Sequence, residues 1–193
     1  MLPGVWPGTC RIEIQLLSRV EYVDLGRREA DIALRMRPPT TRDLALVHSF
    51  RHMNDAYVSK DYAARLPKKP KLSDIGFIAW APPFESFAPN PQLAAMIPNF
   101  RPSFSCDDYL VQLRAAEAGL GAMFMPKVRH RFNRGSELVP LGLPMGEHAT
   151  SELHVVCSKS ALGVARIRAV AELLADELRY ATKLSAAAFG PVP

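Results

Sequence analysis

The stretch RAAEAGLGAMFMP, residues 114–126, joins a helical sequence directly to an apolar strand sequence. Apolar residues recur at helical spacing before Gly119, a glycine that fits the left-handed position after a helix, with Leu120 placed to fold back on the last turn. Gly121 would let two backbones pack closely, and AMFM has the composition of a short buried strand whose Pro126 opens another helix. The sequence therefore predicts a short, rigid helix, with Ser105 or Asp107 as its N-cap, joined to a buried strand.

Strand-like and helical segments alternate along the rest of the chain. The apolar alternation of Ile12–Leu17 predicts a strand, and a short helical stretch then leads to a second strand at Ile32–Met36. LALVHSF and DAYVSKDY predict two strands or one long bent strand, and LHVVCS predicts a late strand before a long amphipathic helix over 164–178. We expect an α/β protein with largely parallel sheets and a loose C-terminal tail, AAAFGPVP.

Composition narrows the class of protein. With 48% hydrophobic and 22% charged residues, a chain of 193 residues is expected to be globular, and no apolar run approaches the roughly 20 residues of a membrane span. Cys10, Cys106 and Cys157 are odd in number and lack C-x-x-C spacing, which favours reduced thiols and, with no secretory signal at the start, the cytoplasm. The net charge of +5 is spread along the chain, and we interpret the densest cluster, KVRHRFNR at 127–134, as a solvated helix face.

Sequence motifs give little indication of a catalytic, nucleotide-binding or metal-binding site. No phosphate-binding loop, dinucleotide fingerprint, nucleophile elbow or H-E-x-x-H pattern occurs. His48 and His52 have a metal-like spacing of four, but their segment has the pattern of a strand, where that spacing separates them. Asp107 and its neighbour Asp108 are better explained as helix-capping carboxylates than as an acid/base pair, and we expect neither a metal nor another cofactor.

The order of segments resembles the effector-binding domain of a LysR-type transcriptional regulator. The resemblance is carried by RIEIQLLSRVEYVDLGRREADIALRM, DAYVSKDYAARL, FSCDDYLVQLRAAEAGLGAMFMP, ELVPL and LHVVCSK, in this order, and covers nearly the whole chain. Gly26 and the residues Asp31 to Arg35 fit the family's G-x-x-D-I-A-L-R element with one residue of extra spacing.

This resemblance implies a two-lobed fold like that of type II periplasmic binding proteins, with a small-molecule cleft between lobes that each contain a mixed sheet flanked by helices. Lobe I would hold residues 1–53 and 158–193, and lobe II residues 54–157. DAYVS and LHVVCS would cross between the lobes. The implied function is effector sensing and dimerisation, through a homodimer or higher oligomer, without catalysis.

The resemblance also implies a ligand site. Its residues would lie at the start of the 107–118 helix, on neighbouring strands and after the Ile32–Met36 strand: Ser105, Cys106, Asp107, Trp80, Phe124 and Arg37. Free N–H groups at that helix end favour a carboxylate or similar anion, although Asp107 could occupy the same donors. Packing alone for Trp80, and an unreactive thiol for Cys106, are the plainer interpretations.

Two departures from the family pattern qualify this interpretation. The chain contains no helix-turn-helix sequence, so we expect it to contact operator DNA only through a domain outside it. Of the strand and helix that open the family's effector domain, only MLPGVWPG, the end of the helix, is recognisable. Two alternatives stay open: a solute-binding protein of a transporter, and a small-metabolite enzyme with the same fold.

Overall fold

A computed structural model describes residues 12–131 and 137–192 of the chain. Contacts divide these residues into two compact units. The first unit contains residues 12–51, 128–131 and 152–192, and the second unit contains residues 52–127 and 137–151. The predicted lobe limits, 1–53 with 158–193 and 54–157, stay a prediction. MLPGVWPG and Cys10 lie outside the described residues.

Seven strands and five helices alternate along the described chain. The strands are β1 (Ile32–Arg35), β2 (Leu44–Ser59), β3 (Ile78–Trp80), β4 (Phe104–Cys106), β5 (Met123–Pro126), β6 (Leu138–Pro140) and β7 (Thr150–Ser158). The helices are α1 (Lys60–Arg65), α2 (Asn90–Met96), α3 (Tyr109–Glu117), α4 (Lys159–Leu162) and α5 (Ala165–Phe189). β2 is the single long strand that LALVHSF and DAYVSKDY allowed.

One sheet has the strand order β1-β7-β2-β5, and β6 also pairs with β2. The pairs β1/β7, β2/β5 and β2/β6 are antiparallel, whereas β3 and β4 form a separate parallel pair. The expectation of largely parallel sheets is therefore wrong, while the expectation of an α/β fold with mixed sheets is confirmed. The late helix is also confirmed as α5, which extends to Phe189 and so includes AAAF of the tail that we expected to be loose.

The second unit has a core on both sides of β2 and β3. One cluster gathers Val58, Phe77 and Leu93. A second cluster gathers Ile78 and Met123 with the buried alanines of α3. Because alanines form the inner face of α3, the helix lies close to β3 and β4, and this close packing fixes the position of its N-terminus.

The end of α3 follows the sequence prediction. Gly119 has a φ of 77°, and the N–H groups of Gly119 and Leu120 donate to the carbonyl oxygens of Ala116 and Ala115 at 3.0 Å each. These two bonds form a Schellman motif, which satisfies the last carbonyl groups of the helix. The chain then enters β5 within three residues.

Two local predictions at the ends of elements are wrong. The N-cap of α3 is Asp108, whose side chain accepts from the N–H of Val111 at 3.0 Å, rather than Ser105 or Asp107. Pro126 opens no helix: it ends β5 opposite Asn54, and Lys127 donates its N–H to the carbonyl of Met53 at 2.7 Å. The basic cluster that follows is accordingly not a helix face over its described residues, 127–131.

The strand predicted for Ile12–Leu17 does not form. Residues 12–19 belong to no helix or strand, and no hydrogen bond joins their backbone to another described residue. The helical stretch predicted after it is only a turn over residues 25–28. Apolar alternation gives a segment the capacity to pair, but a strand also requires a neighbouring strand to bond with.

Candidate functional site

The carboxyl ends of β3 and β4 form the edge on which most of the predicted site residues lie. In this parallel pair Ala79 is opposite Ser105 and Trp80 is opposite Cys106. Both strands end there, and α3 begins three residues after Cys106. In open α/β sheets, ligands bind outside the carboxyl ends of the strands, beside the helix that follows.

The first turn of α3 presents unpaired backbone donors at this edge. The side chain of Asp108 accepts a hydrogen bond from the N–H of Val111. No described residue accepts from the N–H groups of Tyr109 and Leu110. Behind them Gln112, which is buried, donates through Nε2 to the carbonyl of Cys106 at 2.7 Å. This bond ties the helix to the end of β4, so the position of the free donors is fixed.

Trp80 is held in place by several contacts of its own. Its Nε1 donates to the carbonyl of Ala88 at 2.9 Å, and its ring meets the ring of Phe84 edge-on at 6.2 Å between centroids. Asn90 at the start of α2 bonds to both the N–H and the carbonyl of Trp80. The half-buried indole therefore has a packing role, and these contacts hold Trp80 rigidly at the end of β3.

The remaining site residues of the second unit differ in exposure. Ser105 and Asp107 are exposed, and Cys106 is half-buried with its Sγ 3.7 Å from Oδ1 of Asp107. Phe124 lies on β5 and packs against the core, with its ring 6.3 Å from that of Phe77. Trp80, Ser105, Cys106 and Asp107 are thus brought together at one edge, while the contacts of Phe124 are with the core.

Arg37 belongs to the first unit, where it is exposed and lies two residues after β1. Its neighbour Arg35 belongs to a row of polar side chains that sequence reasoning missed. Arg35 on β1 is opposite His154 on β7, and Nδ1 of His154 is 2.8 Å from Oγ of Ser49 on β2. The guanidinium of Arg35 lies over the ring of Tyr22 at 5.2 Å, and no described residue accepts from its buried Nε.

Strand register is what brings this row together. In this row, more than a hundred residues separate Arg35 from His154 in the sequence, with Ser49 between them. A single sequence does not show which strands pair. A buried guanidinium nitrogen without an acceptor is costly, which makes Arg35 a second candidate for holding an anion.

His48 and His52 lie four residues apart on β2, in agreement with the strand interpretation of their segment. Burial lowers the pKa of both imidazoles, and the nearby Arg179 guanidinium lowers that of His48 further. Both side chains are consequently neutral at pH 7. Within the described part of the chain, no group of three or more metal-binding side chains occurs.

The thiol of Cys157 is expected to be unreactive in the folded protein. Burial, with a smaller contribution from the carboxylate of Asp31, raises the pKa of Cys157 to about 11. At pH 8 about one such thiol in a thousand is ionised, and the side chain is fully buried in β7. Brief labelling with iodoacetamide at pH 8, followed by peptide mass spectrometry, should therefore modify Cys106 before Cys157.

The control for this labelling is the same reaction in urea, where both cysteines should react. Equal labelling of Cys106 and Cys157 in the native protein would contradict the placement of Cys157 in the interior.

Among the described helices, none combines the length and the apolar character that a membrane crossing requires. No curated protein sequence matches this chain. Solved structures do match. The regulatory domain of CrgA, a LysR-type transcriptional regulator from Neisseria meningitidis, is 18% identical with a TM-score of 0.62, over 83% of this chain and 81% of that one.

Two further structures show the same fold. A structure of CrgA from the same organism is 20% identical with a TM-score of 0.67. The match covers 86% of this chain and 58% of that one. The effector-binding domain of QuiR, solved in complex with shikimate, is 14% identical with a TM-score of 0.55, over 83% of this chain and 76% of that one. At such identities the likeness shows the fold alone.

The sequence profile of the LysR substrate binding domain matches residues 7–179, which is most of the chain. Domains of this family have the two-lobed fold of periplasmic binding proteins. Together with the observed strand and helix order, this match confirms the family resemblance seen in the sequence. The chain belongs to the LysR substrate-binding domain family, the effector-binding domains of transcriptional regulators.

Proposed function

We propose that the chain senses a small anionic metabolite, which binds at the start of α3 in the cleft that the family fold has between its lobes. One observation carries the proposal: the N–H groups of Tyr109 and Leu110 have no acceptor among the described residues, at the carboxyl edge of β3 and β4. A helix N-terminus with free donors and its positive dipole end favours a carboxylate or a similar anion.

The assigned side chains have distinct roles in this proposal. Ser105, exposed beside the helix start, would donate its hydroxyl to the ligand, and Cys106 and Trp80 would form the walls beside it. Phe124 would contribute only through the core that supports the edge, and Arg37 would supply a positive charge from the first unit.

Asp107 opposes an anionic ligand, because its exposed carboxylate lies at the same helix end. Asp108 adds a second negative charge at this helix end, where its carboxylate accepts from the N–H of Val111 as the N-cap. The sign of the ligand's charge therefore decides the effect of removing the charge at residue 107. A cationic ligand would be held by Asp107, whereas an anionic ligand would be repelled by it.

Calorimetry with a panel of small carboxylates and uncharged analogues tests this site. We expect Ser105→Ala to weaken binding of a carboxylate about ten-fold, as the loss of one hydrogen bond to a charged group should. Asp107→Asn should strengthen the same binding by a few-fold, because it removes a like charge. Ser73→Ala is the control, since Ser73 is also exposed in the second unit but lies away from this edge.

Each outcome has a clear meaning. Equal affinity in the wild type and Ser105→Ala would remove Ser105 from the site. Weaker binding in Asp107→Asn would show that the ligand is held by a carboxylate, and the anionic assignment would fail. Absence of heat with every ligand of the panel, in a protein that unfolds cooperatively, would overturn the proposal itself.

The partners follow from the family. We propose that the chain acts in the cytoplasm as the sensing part of a regulator, with DNA contacted through a helix-turn-helix domain and with pairing of two or more copies. Along the apolar stripe of α5, Val164, Val170, Leu174 and Leu178 are half-buried, and Ile167 is buried.

A further inference from the structure

Arg35 differs from the other described arginines in its surroundings. Every other described arginine is exposed, whereas Arg35, at the end of β1, is half-buried. Four of the exposed arginines form ion pairs with carboxylates: Arg27, Arg114, Arg131 and Arg179. Arg35 forms no ion pair with any described residue. The least hydrated of these guanidinium groups is therefore one without a counterion, which is an unfavourable arrangement for a charge.

The unused donors of Arg35 lie along one edge of its guanidinium group. Nε is buried, and no described residue accepts from it. Nη2, which shares that edge with Nε, donates to the carbonyl oxygen of Val23 at 3.5 Å, a distance at the outer limit of a hydrogen bond. The same edge of an arginine is the fork that can hold two oxygens of a carboxylate or phosphate group at once. Arg35 therefore presents a two-pronged donor that has a single weak acceptor.

The other contacts around the guanidinium supply no further oxygen to this fork. The ring of Tyr22 lies 5.2 Å from Cζ of Arg35, and this cation–π contact offsets only part of the positive charge. His154, opposite Arg35 on β7, bonds through Nδ1 to Oγ of Ser49 at 2.8 Å. The carboxylate of Glu152 lies 3.8 Å from Nε2 of the same histidine. The neighbouring polar groups are thus bonded to one another, and the fork stays open.

We propose that Arg35 binds the carboxylate or phosphate group of a small molecule through Nε and Nη2, as a second anion site within the first unit. The anion takes the place of the Val23 carbonyl at Nη2 and gives Nε its missing acceptor. Its charge compensates the half-buried guanidinium. The site is distinct from the α3 edge, because Tyr22, Val23 and Arg35 all belong to the first unit.

The segment that covers the fork is weakly held. Residues 12–23 belong to no helix or strand, and their backbone bonds to no other described residue apart from the contact of Val23 with Arg35. Firm attachment begins at residue 24, where the N–H of Asp24 donates to Glu29 at 2.9 Å, and the next residue, Leu25, is 2% exposed. An anion can therefore reach Nε by displacing Tyr22 and Val23, without breaking a helix or a strand.

Side-chain NMR of the full chain reports directly on this site. The Nε–H resonance of Arg35, identified by sequential assignment, is followed during titration with sodium acetate and with sodium phosphate, each compared with sodium chloride at equal ionic strength. We expect a saturable shift with an oxyanion and none with chloride. A larger response to acetate identifies a carboxylate as the preferred group, and a larger response to phosphate identifies a phosphate group.

Three variants test the geometry, with affinity measured from the backbone amides of Tyr22 and Val23 or of their replacements. Arg35→Lys keeps the positive charge but loses the fork, so it should weaken binding about ten-fold. Arg37→Lys is the matched control, since Arg37 is exposed two residues further along the chain, and it should bind as the wild type does. Tyr22→Ala should strengthen binding a few-fold, because the ring no longer competes with the anion for the guanidinium.

The outcomes separate this site from the α3 edge. Ser105→Ala should leave the shift of the Arg35 resonance unchanged. Absence of a saturable shift with both oxyanions, or an equal shift with chloride, would overturn the proposal. Wild-type affinity in Arg35→Lys, with unchanged thermal unfolding, would do the same. Weaker binding in Tyr22→Ala would contradict displacement of the covering segment. If Arg35→Lys lowers the stability of the fold, the wild-type titration against chloride still decides.

Discussion

Asp55→Ala is expected to lower the free energy of unfolding by about 3 kcal/mol. Asp55 lies in β2 and is 4% exposed. Its Oδ1 accepts from the N–H of Ala56 at 2.8 Å and from the N–H of Gly142 at 3.1 Å, and its Oδ2 is 3.8 Å from Nζ of Lys127. Alanine would leave two backbone donors without their side-chain acceptor and would remove the carboxylate beside Lys127.

Asp55→Asn separates the two parts of this effect. Asparagine keeps an oxygen that can accept from Ala56 and Gly142 but loses the charge beside Lys127, so we expect about half the destabilisation of alanine. The measurement is urea unfolding at pH 7, with Asp61→Ala on the exposed first turn of α1 as the control. A loss below about 1 kcal/mol in Asp55→Ala would show that water replaces the carboxylate there.

Helices and strands that are defined by local sequence patterns were predictable from the sequence. The α3 helix and its glycine end depend on residues that lie within four positions of one another, and such local interactions are visible in a single sequence. The amphipathic pattern of α5 indicated a long helix, whereas the sequence of β2 allowed either two strands or one long strand. Pairing of strands depends on distant residues, which explains why the antiparallel order and the unpaired 12–19 segment were not foreseen.

The errors at the ends of helices and strands arose because one residue type can indicate two different structures. Asp107 and Asp108 are equally good N-caps by residue type, and the choice between them is made by where β4 ends. Proline fits the first turn of a helix, but it also fits the last position of a strand, where Pro126 lies. No helix was predicted at α2, although Pro91, in its first turn, is a helix-start signal.

The candidate site was likewise only partly predictable from the sequence. Ser105, Cys106 and Asp107 could be placed together because they are consecutive, and Trp80 joined them through the resemblance to a known family. The row of Arg35, Ser49 and His154 is built from three strands, so its proximity follows from register alone. Residue type indicates what a side chain can bind, but only the pairing of strands shows which side chains act together.

Gly121→Ala should be among the most damaging single changes in the second unit, for a reason that the opening stretch of sequence already suggested. A Cβ at residue 121 would lie 2.6 Å from the carbonyl oxygen of Gly76 and 2.5 Å from Oγ of Ser103. The oxygen of Gly76 is fixed by the N–H of Ala122, which donates to it at 2.8 Å. Backbone would have to move, at a cost of about 3 kcal/mol.

The consequence of that movement extends to the site. Gly121 joins the end of α3 to β5, so a shift there would displace the helix whose first turn carries the proposed ligand donors. We expect a fall in melting temperature of roughly 6–12 °C together with weaker ligand binding. Gly163→Ala is the control, because Gly163 has right-handed helical dihedral angles and its nearest neighbour to a new Cβ is 3.3 Å away, so its loss should stay below about 1 kcal/mol. Equal stability of Gly121→Ala and the wild type would mean that the contact between Gly76 and Gly121 is looser than described, and the rigid placement of α3 would then need another cause.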